Sequence, residues 1–120
     1  MCESYEFAGA LNFHQSDNWD VRIPATGKQL NGQVIATGPG GREIIYGNPR
    51  GGITGRDVID FQVFWKNGHQ SRYFGTIKPD GNADGGRDNE NVHYDWPEPI
   101  HDSMHWFTSP PTLKCLSPPQ

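Results

Sequence analysis

Val58 to Ile77 reads V-I-D-F-Q-V-F-W-K-N-G-H-Q-S-R-Y-F-G-T-I. Ile59, Phe61, Val63 and Trp65 fall on one side of an extended chain, and Asp60, Gln62 and Lys66 fall on the other, with Phe64 the one exception. That is the period-two pattern of a half-buried strand. Asn67-Gly68 supplies the pair that most readily takes positive φ, so the chain doubles back. Tyr73, Gly75 and Ile77 then share a side, and Pro79-Asp80-Gly81 turns the chain again. The stretch predicts a β-meander.

The alternation extends in both directions. Tyr5, Phe7, Gly9, Leu11 and Phe13 alternate with polar or small residues and predict a first strand, followed by the turn Gln15-Ser16-Asp17-Asn18. Trp19, Val21 and Ile23 predict a second strand, ended by Pro24. Leu30, Gly32, Val34 and Ala36 predict a third, closed by Gly38-Pro39-Gly40-Gly41. A glycine cluster cradles phosphate when a strand precedes it and a helix follows, but Arg42 to Tyr46 is β-like. A fourth strand begins at Ile44 and passes through Gly47 and Gly51-Gly52 to Ile53, which predicts a bulge, a sharp coil or a close backbone approach. Val58 to Lys66 and Ser71 to Lys78 are the fifth and sixth strands, and Ala83 to Asp88 is a weaker seventh. Asn89 to Asp102 is polar and aperiodic and predicts the longest loop. Ser103 to Thr108 is the eighth strand, and Ser109-Pro110-Pro111 and Ser117-Pro118-Pro119 mark an irregular tail.

Eight sequential strands with short connections predict an all-β fold: a single eight-stranded antiparallel up-and-down β-barrel over residues 1–120, because closure removes the exposed edges of a flat sheet. A barrel of this size is filled by its own side chains or holds one small ligand. The 120 residues suit one domain. A hydrophobic fraction of 33% with 15 Gly and 10 Pro favours short strands and turns, and six Phe, four Trp and four Tyr argue against disorder. The net charge of −4 is mixed along the chain, and without a basic face nucleic acid is excluded as a partner. No apolar run reaches the length of a membrane span, and the first residues lack a charged-then-apolar leader pattern. Cys2 and Cys115 suit a clasp between the first and last strand regions, which implies a secreted or cell-envelope protein; two free thiols would imply the cytoplasm.

The string Ile59-Asp60-Phe61, Val63, Trp65, Asn67-Gly68, Tyr73, Gly75, Ile77 and Asp80-Gly81, with a late tryptophan and Leu113-Lys114-Cys115, resembles a group of small actinobacterial barrel proteins of largely unassigned function. More loosely it is similar to the calycin superfamily of avidin-like and lipocalin-like barrels. Gln15-Ser16-Asp17-Asn18-Trp19 and Gly51-Gly52-Ile53-Thr54-Gly55 fit the same pattern. The resemblance implies a ligand pocket inside the barrel and does not imply biotin.

The set expected to face the barrel axis is Phe7, Leu11, Trp19, Val21, Val34, Tyr46, Phe61, Val63, Trp65, Tyr73 and Ile77. Aromatic walls with a few hydroxyl or indole donors suit a small, mostly apolar or aromatic ligand, though the same residues also serve to fill a core. The alternative is a cofactor-independent cyclase, isomerase or lyase. There Tyr46 or Tyr73, with Asp20, Arg22 or a histidine at the barrel mouth, moves a proton on a bound apolar substrate. No cofactor is implied. His14, His69, His93, His101 and His105 lack diagnostic metal spacing and read as loop histidines. Asp80 to Asp88 has the opening spacing of a calcium loop, but Asn91 stands where a bidentate glutamate belongs, so a hairpin turn explains it. His14, Ser16 and Asp17 are close in sequence without a nucleophile elbow. Phe64, Phe74 and Trp96 are expected to be exposed and offer a homo-oligomer interface.

Overall fold

The computed structural model describes residues 4–91, 100–108 and 113–115, with backbone alone over 88–91 and 100–103. Eleven strands follow one another in these residues: β1 (Tyr5–Phe7), β2 (Ala10–Gln15), β3 (Asp20–Thr26), β4 (Gln29–Leu30), β5 (Val34–Thr37), β6 (Ile44–Ile53), β7 (Val58–Trp65), β8 (His69–Ile77), β9 (Ala83–Asn91), β10 (Ile100–Thr108) and β11 (Leu113–Cys115). A 3-10 turn at Pro39–Gly41 is the only helical element among the described residues.

Eight of the strands close on themselves. Each of β2, β3, β5, β6, β7, β8, β9 and β10 pairs antiparallel with the next in that order, and β10 pairs back with β2. The fold is therefore the up-and-down barrel that the alternation predicts, and it is compatible with a calycin-like architecture. Its inward faces carry Leu11, Phe13, Val21, Ile23, Val34, Ile59, Phe61, Val63, Tyr73, Ile77 and Trp106, all buried in one core cluster. Burying side chains of this size contributes about 1.5–3 kcal/mol each.

Glycines set how tightly the wall coils. Gly75 and Gly85 face one another across β8 and β9, and the Trp106 indole lies over Gly75. A Cβ on Gly75 would come 2.7 Å from the Trp106 ring, and one on Gly85 would come 1.8 Å from the Phe74 carbonyl oxygen.

The two ends of the barrel differ. At one end β1 and β11 form a two-stranded sheet of their own, with Tyr5 opposite Cys115 and Phe7 opposite Leu113. The Phe7 amide donates to the Gly27 carbonyl at the β3–β4 turn (2.8 Å), and Tyr5, Phe7 and Leu113 are buried against the core. This apolar sheet plugs the barrel. The opposite end carries the β2–β3 turn, the Pro39–Gly41 turn and the Asn67-Gly68 turn.

Several boundaries differ from the sequence reading. The predicted first strand is broken at Gly9, whose φ of +90° ends β1 and lets β2 enter the barrel wall separately. Phe7, expected on the barrel wall, thus belongs to the plug. The predicted third strand splits into β4 and β5, because the chain bends at Gly32 to pack on Pro24, where a Cβ would come within 2.6 Å of the proline ring. Strands β9 and β10 reach further into the predicted long loop than expected, and 92–99 lie outside the described residues. The tail read as irregular contains β11. The Cys2–Cys115 pairing falls partly on Cys2, which lies outside the described residues, although Cys115 does stand beside the first strand.

Candidate functional site

At the end opposite the plug, the inward face changes from apolar to polar. Alternation along β2 that buries Leu11 and Phe13 also buries Gln15. Register along β8 buries Ser71 together with Tyr73, and Arg87 stands opposite Tyr73 on β9. The Tyr73 hydroxyl donates to Gln15 Oε1 at 2.7 Å, and Arg87 Nη1 lies 3.4 Å from the same oxygen. Gln15 Nε2 donates to Asp17 Oδ1 at 3.1 Å, and Arg87 Nη2 is 3.7 Å from Asp17 Oδ2. On the neighbouring wall the Trp65 indole donates to the Ser71 hydroxyl at 2.8 Å. These bonds join β2, β7, β8 and β9 into one layer.

The β2–β3 turn shapes the rim of this layer. Asn18 takes φ +69° and its amide donates to the Gln15 carbonyl (2.9 Å), while Asp17 Oδ1 accepts from the Trp19 amide (3.2 Å). The Asp17 carboxylate is thereby aimed back toward Arg87. Trp19 is half-buried and lies flat on Gly38, where a Cβ would sit 3.1 Å from the ring. Only 13% of the Arg87 side chain is exposed, and it stands opposite the buried Tyr73. Burial pushes the Tyr73 phenol up to about 12. The Arg87 guanidinium facing it, and hydrogen bonds from Arg87 and Ser71, hold it back from rising further. Tyr73 is therefore protonated at neutral pH and acts as a donor.

Below the polar layer the rings touch. Phe61 stacks on Tyr73 at 4.9 Å between centroids, and Phe13 meets Tyr73 at 5.1 Å and Trp106 at 5.2 Å. The wall residues expected from the sequence thus divide by depth. Leu11, Val21, Val34, Phe61, Val63 and Ile77 are buried core, whereas Trp65, Tyr73 and Trp19 reach the polar end. Tyr46 corrects the expectation, since it is 41% exposed on the outer face. The reason is Gly47, which pairs with Trp65: a Cβ there would come 2.9 Å from Val63 and 3.1 Å from the Trp65 ring. Gly47 must face inward, so Tyr46 faces out beside Ile35.

The four residues expected to carry proton transfer are not brought together. Asp20 is on the outer surface bonded to His14 (2.8 Å), Arg22 is there bonded to Asn12 (3.1 Å), and Tyr46 is outside, while Tyr73 is inside. In the Asp80 to Asp84 segment, Asp80 Oδ1 accepts the Asn82 amide (2.9 Å) and Asp84 pairs with Lys78, which is the hairpin turn. Phe64 and Phe74 are exposed as expected, and Trp96 lies outside the described residues. The sequence reading missed Gln15, Ser71 and Arg87. Continuing the Leu11, Phe13 alternation by two residues would have found Gln15. Comparison with protein-family models, curated proteins and solved structures finds no match to this chain.

Proposed function

We propose that the protein binds a small, mostly apolar or aromatic molecule inside the barrel, at the end that carries the polar layer. The observation that supports this is the arrangement of Gln15, Ser71, Tyr73 and Arg87 on an otherwise apolar inward face, with Trp65 bonded into the layer and Trp19 at its rim. A filled core gains nothing from a guanidinium, since burying one costs free energy that an aliphatic side chain does not. Binding sites, by contrast, combine apolar walls with a few converging polar groups that orient the guest. The interior below is packed with rings, so the guest sits in the polar third of the barrel instead of along its whole axis.

The test is native mass spectrometry on protein purified from its own host, together with tryptophan fluorescence titrated against a panel of small aromatic compounds. A released mass of a few hundred daltons, or quenching that is lost in Trp65→Phe, is the expected result. Protein that carries no guest and gives no saturable quenching with any member of the panel would count against the site.

A further inference from the structure

From the same layer we infer that the guest carries a carboxylate, held by Arg87 with Tyr73 and Gln15 fixing its orientation. This inference rests on the reading of the polar end as a ligand site. The guanidinium is a planar fork suited to bidentate contact with a carboxylate, and it stands opposite Tyr73 in the layer into which Trp65 is bonded through Ser71. Tyr73 is neutral beside it, its hydroxyl proton given to Gln15 Oε1, so it steadies the amide that faces the guest.

Asp17 supplies an independent observation. Its carboxylate, 3.7 Å from Arg87 Nη2, occupies a position on the guanidinium that an incoming carboxylate would approach. It comes from a turn at the rim and is 40% exposed, and its other oxygen accepts from Gln15 Nε2 and the Trp19 amide, so a guest displaces only its contact with Arg87. Asp17 therefore acts as a resident counter-charge that competes with the guest's carboxylate and affects a neutral guest less.

The experiment uses a matched pair of probes, 1-naphthoate and 1-naphthamide, measured by calorimetry and tryptophan fluorescence on the full chain. Wild-type protein binds the acid roughly tenfold or more tighter than the amide, the range of a charge-assisted hydrogen bond. Arg87→Gln brings the two affinities together, and Arg87→Lys restores part of the difference. Asp17→Asn tightens the acid severalfold, the scale of a partly exposed ion pair, and changes the amide by less. Equal binding of acid and amide by wild type overturns the carboxylate inference and leaves the ligand site standing. Failure of both probes to bind overturns the inference together with the site. The wild-type comparison holds even if Arg87→Gln does not fold. A variant that folds, shown by its circular dichroism, and still prefers the acid rules Arg87 out as the anion's partner.

Discussion

Tyr73 carries its hydroxyl into a place where water does not reach, and its ionisation is linked to stability. The folded phenol is raised from its ordinary value of 10.0 to about 12, chiefly by burial, whereas in the unfolded chain it titrates near 10. An unfolded state that loses its proton first is favoured as pH rises. The contribution of Tyr73 is therefore fully present below about pH 10 and is lost between about pH 10 and pH 12. Two units correspond to about 3 kcal/mol. Urea denaturation of wild type at pH 9 and pH 11, compared with Tyr73→Phe, isolates this share. Wild type loses stability over the interval more steeply than the variant, and parallel losses would place the phenol's burial elsewhere. At pH 7 the same substitution removes the bond to Gln15 and costs about 1–2 kcal/mol. The residue was legible in the sequence as a wall position. Gln15 was in step with Leu11 and Phe13 and could have been found by extending their alternation, whereas Arg87 is a residue type that reads as solvent-facing unless the pairing register is known.

Strands β8 and β9 are held closer than side chains allow, and that closeness determines where Trp106 lies. Gly85→Ala places a methyl group where the Phe74 carbonyl oxygen stands, and the strand cannot yield without breaking the ladder on both sides. We expect it to cost about 3 kcal/mol or to abolish soluble expression, at the upper end of overpacking effects. Gly55→Ala, whose nearest neighbour is a Val58 carbon at 3.8 Å, leaves the denaturation midpoint within about 0.5 kcal/mol of wild type. Equal midpoints for the two variants would mean the β8–β9 approach is looser than described. At this scale the period-two signal located the meander β7–β8 almost to the residue. It failed where phase was ambiguous. Ile44 and Ile45 are adjacent and both apolar, so only the Gly47–Trp65 contact decides that Tyr46 faces out. It failed again at Gly9 and Gly32, where a glycine in step with the alternation was a break in the strand. The three-residue β11 is too short to show a period, and it exists because β1 pairs with it.

Closure of the barrel rests on unequal seams. The ladder between β8 and β9 matches every residue from His69 to Ile77, while β10 meets β2 only from Trp106 to Thr108. Next to that short seam, β10 also shifts register against β9 between Asp102 and His105. The seam is extended by a small clamp: the Ser16 amide donates to the His105 carbonyl (2.8 Å) and the His105 amide donates to the Ser16 hydroxyl (3.0 Å). β3 also meets β5 over only three pairs, but β4 pairs with β3 beside them and lengthens that side; local opening follows the fewest paired groups, so the barrel should unzip first between β2 and β10. That seam lies beside Gln15 and the polar layer, and opening there would give the proposed guest a route past Asp17. Native-state hydrogen exchange tests the ordering. Amides of β7, β8 and β9 exchange at the free energy of global unfolding, and those of Phe13 to Ser16 and of His105 to Thr108 exchange earlier by a sub-global route. Ser16→Ala removes one arm of the clamp and lowers protection at the seam by about fivefold, since a lost hydrogen bond is worth roughly 1 kcal/mol, while β7 and β8 respond only as far as global stability changes. If the seam amides instead exchange together with the meander in both proteins, the barrel opens as one unit and the proposed guest would have to enter through the end of a closed wall.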